Sequence, residues 1–450
     1  MFDRTLYKNL ITWKNKVDRK PLILRGSRQV GKTTLVEMFS KEFDYFINLN
    51  LDLKEDREIF EQSDDIDKII QFLFLKAGIS KSNDNILLFI DEIQNSPDAI
   101  KLLRYFYEKA NFVYVIAAGS LLESLIDNQI SFPVGRVEYL ILRPFSFKEY
   151  LMASNEEMSL DILNTIPFPN YAHQKLLSLF KEYCLIGGIP DVIKSYIIKK
   201  DLVLITEIFQ NLITTYLDDV EKYAKNEKSI QIIRHVIQSS LQLSGNRIKF
   251  EGFGDSNYKS KDIGEALRTL QKTLFLNLNY PTTTTKLPLI ENKKKSPKIF
   301  LLDTGILNFF SGIQSQILTS KYIDEVFEGK VAEHIVGQEL LALKTSPLYK
   351  NIFWVKEKKQ SNAEIDFLYQ FNYILLPIEV KLGKTGRLRS LMEYIDACPH
   401  NYAIRIYSGE LSIDRTQTIA GKNFNLLNLP FYLIHRIENY INWLINETNK

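Results

Sequence analysis

The chain has 450 residues, enough for two to four domains of ordinary size. Its 57 basic and 54 acidic residues leave a net charge of +3, a balance that neither demands nor excludes nucleic acid. Two cysteines, Cys184 and Cys398, give no disulfide framework and no zinc set, and no apolar run approaches the ~18 residues of a membrane span. A cytoplasmic protein with no membrane partner is expected.

The first informative stretch runs from Pro21 to Leu35. A short apolar run, Leu22–Leu24, leads into Gly26-Ser27-Arg28-Gln29-Val30-Gly31-Lys32-Thr33, and Thr34 and Leu35 open an amphipathic stretch. That is a strand, a G-x-x-x-x-G-K-T loop and a helix start. Gly26 and Gly31 let backbone N–H groups approach an anion where Cβ atoms would obstruct it. Lys32 is placed to reach the β- and γ-phosphates and the Thr33 hydroxyl to ligate Mg²⁺, above the positive end of a helix. Residues 26–34 are therefore expected to bind ATP.

Ile86–Ile90 is an apolar run that ends in Asp91 and Glu92, 59 positions beyond Lys32. It reads as a buried parallel strand delivering two carboxylates at its C-terminal end, where α/β sheets bind ligands. Asp91 is expected to hold Mg²⁺ through water, and Glu92 to act as general base on the attacking water. Tyr45–Leu49, Phe112–Ala117 and Tyr139–Leu142 complete a set of five strands alternating with helices, which predicts a parallel sheet covered on both faces. An arginine beyond the Phe112–Ala117 strand could reach a neighbouring copy's site and stabilise transition-state charge. Arg136 is the first choice and Arg143 the second.

Gly26–Thr33, Ile86–Glu92, Ala118–Leu121, Gly135-Arg136 and Arg143–Tyr150 resemble the AAA-type ATPase module of a widespread family of prokaryotic ATP-binding proteins. The resemblance continues through Tyr183-Cys184-Leu185-Ile186-Gly187-Gly188-Ile189-Pro190 and covers essentially the whole chain. It implies an AAA+ P-loop core over residues 1–150, with Ser120 as a polar sensor of the γ-phosphate and possible homo-oligomers. It also implies a C-terminal domain of unassigned function.

Ser154–Asn170 is polar, with two prolines, and is expected to be a loop. Residues 171–244 read as helical: Leu176, Leu179, Phe180, Tyr183 and Cys184 form one apolar stripe, and Ile205, Ile208, Phe209, Leu212, Ile213 and Tyr216 another. These predict a helical lid over residues 151–228. Residues 229–292 suggest a winged-helix module. It would have a helix near Ile230–Leu243, a recognition helix at Ser260–Lys272, strands at Leu274–Leu278 and Thr285–Ile290, and a wing at Pro281–Lys286. Lys259, Lys261, Arg268 and Lys272 could meet DNA phosphates. Such a module serves protein interaction equally well, and the residues leave both open. Asn292–Lys298 reads as a basic, solvated loop.

Over residues 293–450 the carboxylates are informative. Glu333 falls on a helix by periodicity, Asp366 on a strand, and Glu379 and Lys381 on one face of a second strand. A hairpin through Tyr369–Asn372 would bring Asp366 beside them. This arrangement, with 13 positions from Asp366 to Glu379, resembles the PD-(D/E)XK nuclease constellation, with Glu333 as that superfamily's helix-borne acid. The resemblance implies a restriction-endonuclease-like α/β domain. Asp366 and Glu379 would bind Mg²⁺, Glu333 would assist, and Lys381 would orient or deprotonate water. Lys356, Lys358, Lys359, Lys384, Arg387 and Arg389 would offer a positive face to DNA. His334 is expected on the helix surface. Two functions fit: ATP hydrolysis coupled to Mg²⁺-dependent cleavage of DNA, or an ATP-dependent module that binds or remodels DNA or a protein partner and cuts nothing.

Overall fold

Short apolar runs ended by polar turns build the first sheet. The computed structural model describes residues 2–79, 85–119, 133, 135–312, 329–357, 363–383 and 388–448. Ser120 lies outside the described residues, as do Lys358, Lys359, Lys384 and Arg387. The chain forms two compact units. One is Met1–Arg143 with Lys272–Leu274 and Thr345–Leu348, and the other comprises the remaining segments.

In the first unit, β1 (Leu22–Arg25), β2 (Tyr45–Asn50), β3 (Ile86–Asp91), β4 (Val113–Gly119) and β5 (Glu138–Ile141) lie in the order β2-β3-β4-β1-β5. Every neighbouring pair is parallel. All five predicted strands are present, shifted by at most two residues at an end. β4 is inserted between β1 and β3, the strands that carry the two motifs. Alternate side chains divide between two cores. Ile23, Leu88, Ile90 and Val115 pack on one face, and Leu22, Leu24, Leu87, Phe89 and Ile116 on the other. Burial on both faces is why these strands read as continuous apolar runs. Helices α1 (Tyr7–Lys14), α2 (Lys32–Phe39), α3 (Lys54–Glu61), α4 (Ile66–Ala77) and α5 (Pro97–Lys109) cover the sheet. Ser96 starts α5 by accepting from the Ala99 N–H, with Pro97 at the first helical position.

The second unit opens with α6 (Phe147–Ala153), whose Ser146 and Glu149 form a reciprocal capping box. The segment expected to be a loop contains α7 (Glu157–Leu163). That stretch has neither proline nor glycine, and the breakers Pro167 and Pro169 come after its end. Four helices follow: α8 (His173–Ile186), α9 (Pro190–Lys199), α10 (Leu202–Tyr223) and α11 (Glu227–Leu243). The two apolar stripes point inward, except that Ile208 is only partly covered.

Helix α12 (Ser260–Lys272) has the predicted bounds. Beyond it, β6 (Leu276–Asn279) does not pair with residues 285–290, which form no strand. It pairs antiparallel with β8 (Lys298–Leu301), while β7 (Pro281–Thr282) joins a different sheet. Lys298, expected in a solvated loop, is thus a strand residue and is 4% exposed.

Helix α13 (Thr304–Phe310) and α14 (Gly329–Ala342) lead to β9 (Phe353–Val355), β10 (Glu364–Ile365), β11 (Phe367–Phe371) and β12 (Ile374–Val380). β11 and β12 form the predicted hairpin, with Asn372 at φ 49° in its turn. After α15 (Arg389–Ala397) come β13 (Tyr402–Tyr407), β14 (Ser412–Gln417), β15 (Asn423–Pro430) and α16 (Ile437–Thr448). The sheet order is β11-β12-β13-β15-β14, so Asn428–Pro430 form the end of an interior strand. No helix of the described residues is long and apolar enough to cross a membrane.

Candidate nucleotide site and acidic cluster

The phosphate loop joins β1 to α2 within the first unit. Gly31 has φ 89°, a conformation that an L side chain resists, and this turns the chain into α2. Gly26 is needed for a different reason. A Cβ there would sit 2.7 Å from the Leu142 carbonyl oxygen, so the loop start can approach the end of β5 only without one. Gln29 also has positive φ, 60°. Val30 is fully buried and its carbonyl accepts from Arg4 Nη1 at 2.8 Å, while Arg4 Nη2 donates to the Arg143 carbonyl at 2.6 Å. Arg4 therefore braces the loop against the chain that leaves β5. Sequence reading missed it, because nothing local marks an arginine 22 residues ahead of the motif.

Lys32 Nζ donates to the carbonyls of Gly26 (3.0 Å) and Ser27 (2.9 Å). Burial lowers its pKa, against the opposing pull of Glu92 and Asp91. A desolvated ammonium hydrogen-bonded to neutral carbonyls gains from an arriving anion. The Ser27 hydroxyl is buried with no hydrogen-bond partner, a further unmet polar group in the loop. Thr33 Oγ1 donates to Asp91 Oδ2 at 2.7 Å, so the two residues expected to hold Mg²⁺ already touch. A hard cation with oxygen ligands fits that hydroxyl–carboxylate pair. Thr34 is exposed on the first turn of α2, and Arg28 is partly covered.

Glu92 sits at φ 51°, directly after β3, and its carboxylate accepts from the Gln94 side chain. Arg136 lies at the opposite edge of the sheet from its own chain's phosphate loop. Leu22, the first residue of β1, pairs with Glu138, so Arg136 precedes the strand starts. Its Nε donates to Glu108 Oε1 at 2.9 Å. Arg143, by contrast, follows the end of β5 on the loop's own edge.

These features decide one identity. Residues 18–151 match the family model of an AAA domain. The first module is an AAA-type ATP-binding domain of the P-loop class. Beyond the AAA domain, residues 177–317 and 328–432 each match a domain of unknown function (DUF8612 and DUF4143). No curated protein matches the chain. Among solved structures, a Walker-type ATPase of Pyrococcus abyssi matches at 16% identity over 69% of this chain and 96% of that one, with a TM-score of 0.45. The C. elegans PCH-2 structure matches at 14% identity over 43% and 62%, and Drosophila ORC bound to DNA at 14% over 69% and 80%, both with TM-scores of 0.26.

The four nuclease-like residues converge in the second unit. Phe367 pairs with Ile378, which sets Asp366 across from Glu379. Asp366 Oδ2 accepts from the Val380 N–H at 2.8 Å. Lys381 Nζ lies 2.8 Å from Glu379 Oε1. Glu379 Oε2 is buried with no hydrogen-bond partner. Helix α14 brings Glu333 to the same place through a residue that sequence reading misassigned. Lys298 Nζ, on β8, lies 2.6 Å from Glu333, 2.7 Å from Glu364 and 3.7 Å from Asp366.

Burial works against the Lys298 ammonium, but Glu333, Asp366 and Glu364 outweigh it and raise its pKa. Burial likewise raises Glu333, Asp366 and Glu379, with Lys298 or Lys381 pulling each back. Among the described residues, no group of three or more His, Cys, Asp or Glu side chains is disposed to hold a metal ion. Asp366 and Glu379, the residues expected to bind Mg²⁺, each face an ammonium instead, Asp366 that of Lys298 at 3.7 Å and Glu379 that of Lys381 at 2.8 Å.

His334, expected on the surface, is 1% exposed, and its Nδ1 lies 2.9 Å from Thr304 Oγ1. The positive face expected for the last domain is largely internally paired where it is described: Lys356 and Arg389 both contact Glu393.

A second buried network was not anticipated. Asp303 Oδ2 accepts from the Gly188 N–H at 2.6 Å and from Gln338 Nε2 at 3.2 Å, and Tyr183 Oη donates to Glu339 Oε1 at 2.8 Å. Burial raises Asp303 to about 6 and Glu339 to about 7. Gly187, at φ 74° and ψ −164°, turns the chain where a Cβ would strike the Asp303 carboxylate. The Gly-Gly-Ile-Pro element thus ties α8 to α13 and α14.

Proposed function

We propose that the chain is a Mg²⁺-dependent ATPase whose nucleotide cycle controls binding of DNA by its C-terminal half. The observation that carries the ATPase reading is the state of Lys32, a desolvated ammonium resting on two backbone carbonyls beside a Thr33–Asp91 pair. In this reading Lys32 holds the β- and γ-phosphate oxygens, Thr33 and Asp91 hold the cation, and Glu92 takes a proton from the attacking water once it turns from Gln94. Mg²⁺, when bound, neutralises developing phosphate charge. Ser120 as sensor and Arg136 acting in a neighbouring copy of a homo-oligomer complete the proposal.

DNA is favoured as the ligand by the surface of α12. Its acids are internally matched, with Asp262 2.8 Å from Lys228 and Glu265 2.6 Å from Lys225, while Lys259, Lys261 and Arg268 are exposed. Phosphate contacts made by that helix face would weaken steeply with salt. Cleavage of DNA is the second reading. It is favoured by the convergence of Glu333, Asp366, Glu379 and Lys381, and disfavoured by Lys298 among those acids.

The test is incubation of the protein with plasmid and linear DNA, with Mg²⁺ or Mn²⁺, with and without ATP, beside Lys32→Ala and Asp366→Ala. Phosphate release that depends on Lys32, DNA retention that changes with ATP, and intact DNA are expected. Cutting lost in Asp366→Ala would replace this reading with the nuclease. A protein ligand would be indicated by DNA binding that does not respond to salt or to ATP.

A further inference from the structure

We infer that the Lys298 side chain is the resident cation of the acidic cluster and stands in for a divalent metal. Three observations carry this. The ammonium is enclosed, with the side chain 5% exposed, and lies within hydrogen-bond reach of Glu333 and Glu364 and within ion-pair reach of Asp366. It comes from a strand, not from a loose loop. β8 is pinned by four paired positions to β6, so the amine is delivered at a fixed place. Lys381 neutralises Glu379 from the other side, at 2.8 Å. An ammonium and a divalent ion cannot share one set of oxygens: the first needs lone pairs at hydrogen-bond distance, the second needs them at about 2.0–2.6 Å with the ammonium gone.

The consequence concerns the domain's chemistry. The cluster is an internal ion-pair network that ties β8 to α14 and to the β10–β12 region. Glu333, Glu364 and Asp366 are engaged in that network, and among the described residues of the cluster Glu379 Oε2 alone is left without a partner, too few oxygens to hold a divalent ion. The inference rests on the nuclease-like reading of this domain only for the comparison with a metal site, and is independent of the ATPase and of DNA binding.

The experiment uses the full chain carrying Asp91→Asn, which removes the phosphate-loop cation ligand, in nucleotide-free buffer. Mn²⁺ binding is followed by the electron paramagnetic resonance of the free ion and by thermal unfolding. We expect no bound Mn²⁺ and no shift in Tm, with or without a further Asp366→Asn. Bound Mn²⁺ that is lost on adding Asp366→Asn overturns the inference. The second arm compares Lys298→Met with Lys298→Met/Glu333→Gln. The single variant should lose Tm or fail to fold, and the double variant should recover part of the loss, because it removes one of the three acids left without their cation. A Lys298→Met protein as stable as the parent, or a loss that Glu333→Gln does not relieve, also overturns it. DNA binding enters neither arm, so failure here leaves the functional proposal standing.

Discussion

The Lys298 ammonium lies 2.6 Å from the Glu333 carboxylate, joining strand β8 to helix α14 in the middle of an acidic cluster. The two partners are not equivalent. Lys298 serves three carboxylates, whereas Glu333 is one of three acids around it. Lys298→Met strands buried charge and should cost about 3–5 kcal/mol. Glu333→Gln leaves the ammonium with Glu364 and Asp366 and should cost about 1 kcal/mol. Urea unfolding of both variants checks the ratio, and equal losses would show that the pair acts alone.

Glu92 follows β3 at the nucleotide edge of the sheet and touches Gln94. Glu92→Gln keeps the shape and removes the base. Turnover of ATP should fall by about 10²–10⁴-fold with little change in nucleotide affinity. Single-turnover hydrolysis beside a fluorescent-nucleotide titration separates the two. Unchanged turnover would remove Glu92 from the mechanism.

Gly187 occupies a backbone region open to glycine almost alone, and Asp303 fills the space beside it. Gly187→Ala should cost about 1–3 kcal/mol for the backbone alone, before the collision with Asp303 is counted. The loss should be read by thermal unfolding. Gly312→Ala, at φ 69° with open space for a Cβ, is the control and should lose less.

Glu339 is buried against Tyr183 and the Phe147 N–H, and burial raises its pKa from 4.5 to about 7. The folded state therefore holds the proton more tightly than the unfolded state. Its contribution to stability is fully present below the unfolded value near pH 4.5 and is lost as pH rises towards 7. By linkage the loss is on the order of 3 kcal/mol. Glu339→Gln should flatten that segment of the stability profile. A variant with the parental slope between pH 4.5 and 7 would assign the dependence elsewhere.

Much of the first unit was legible because its strands are buried on both faces and its motif residues are adjacent in sequence. Leu22–Leu24 and Ile86–Ile90 announce themselves as runs, and Gly31-Lys32-Thr33 needs no partner to be recognised. The β11–β12 hairpin was legible for a related reason: Asp366 and Glu379 are close in sequence and strand alternation fixes their face. What failed was non-local. Lys298 follows three lysines and a proline, so its local composition says loop, and only pairing with β6 makes it a buried strand. β15 carries Asn423, Asn425 and Asn428, residues poor in strand propensity. Asn428 is tolerated at an interior position because Arg405, Ser412 and Asp414 meet its amide. His334 looked like a surface residue because Thr304, which pairs with it, is 30 positions away.

Whether the chain is a DNA-responsive ATPase is decided by phosphate release from Mg²⁺-ATP, measured for the parent chain and for Lys32→Ala, each with and without duplex DNA. The parent should hydrolyse ATP at a rate that changes when DNA is added, and Lys32→Ala should show background release at unchanged thermal stability. Equal release from the two proteins, with or without DNA, would contradict the proposed function.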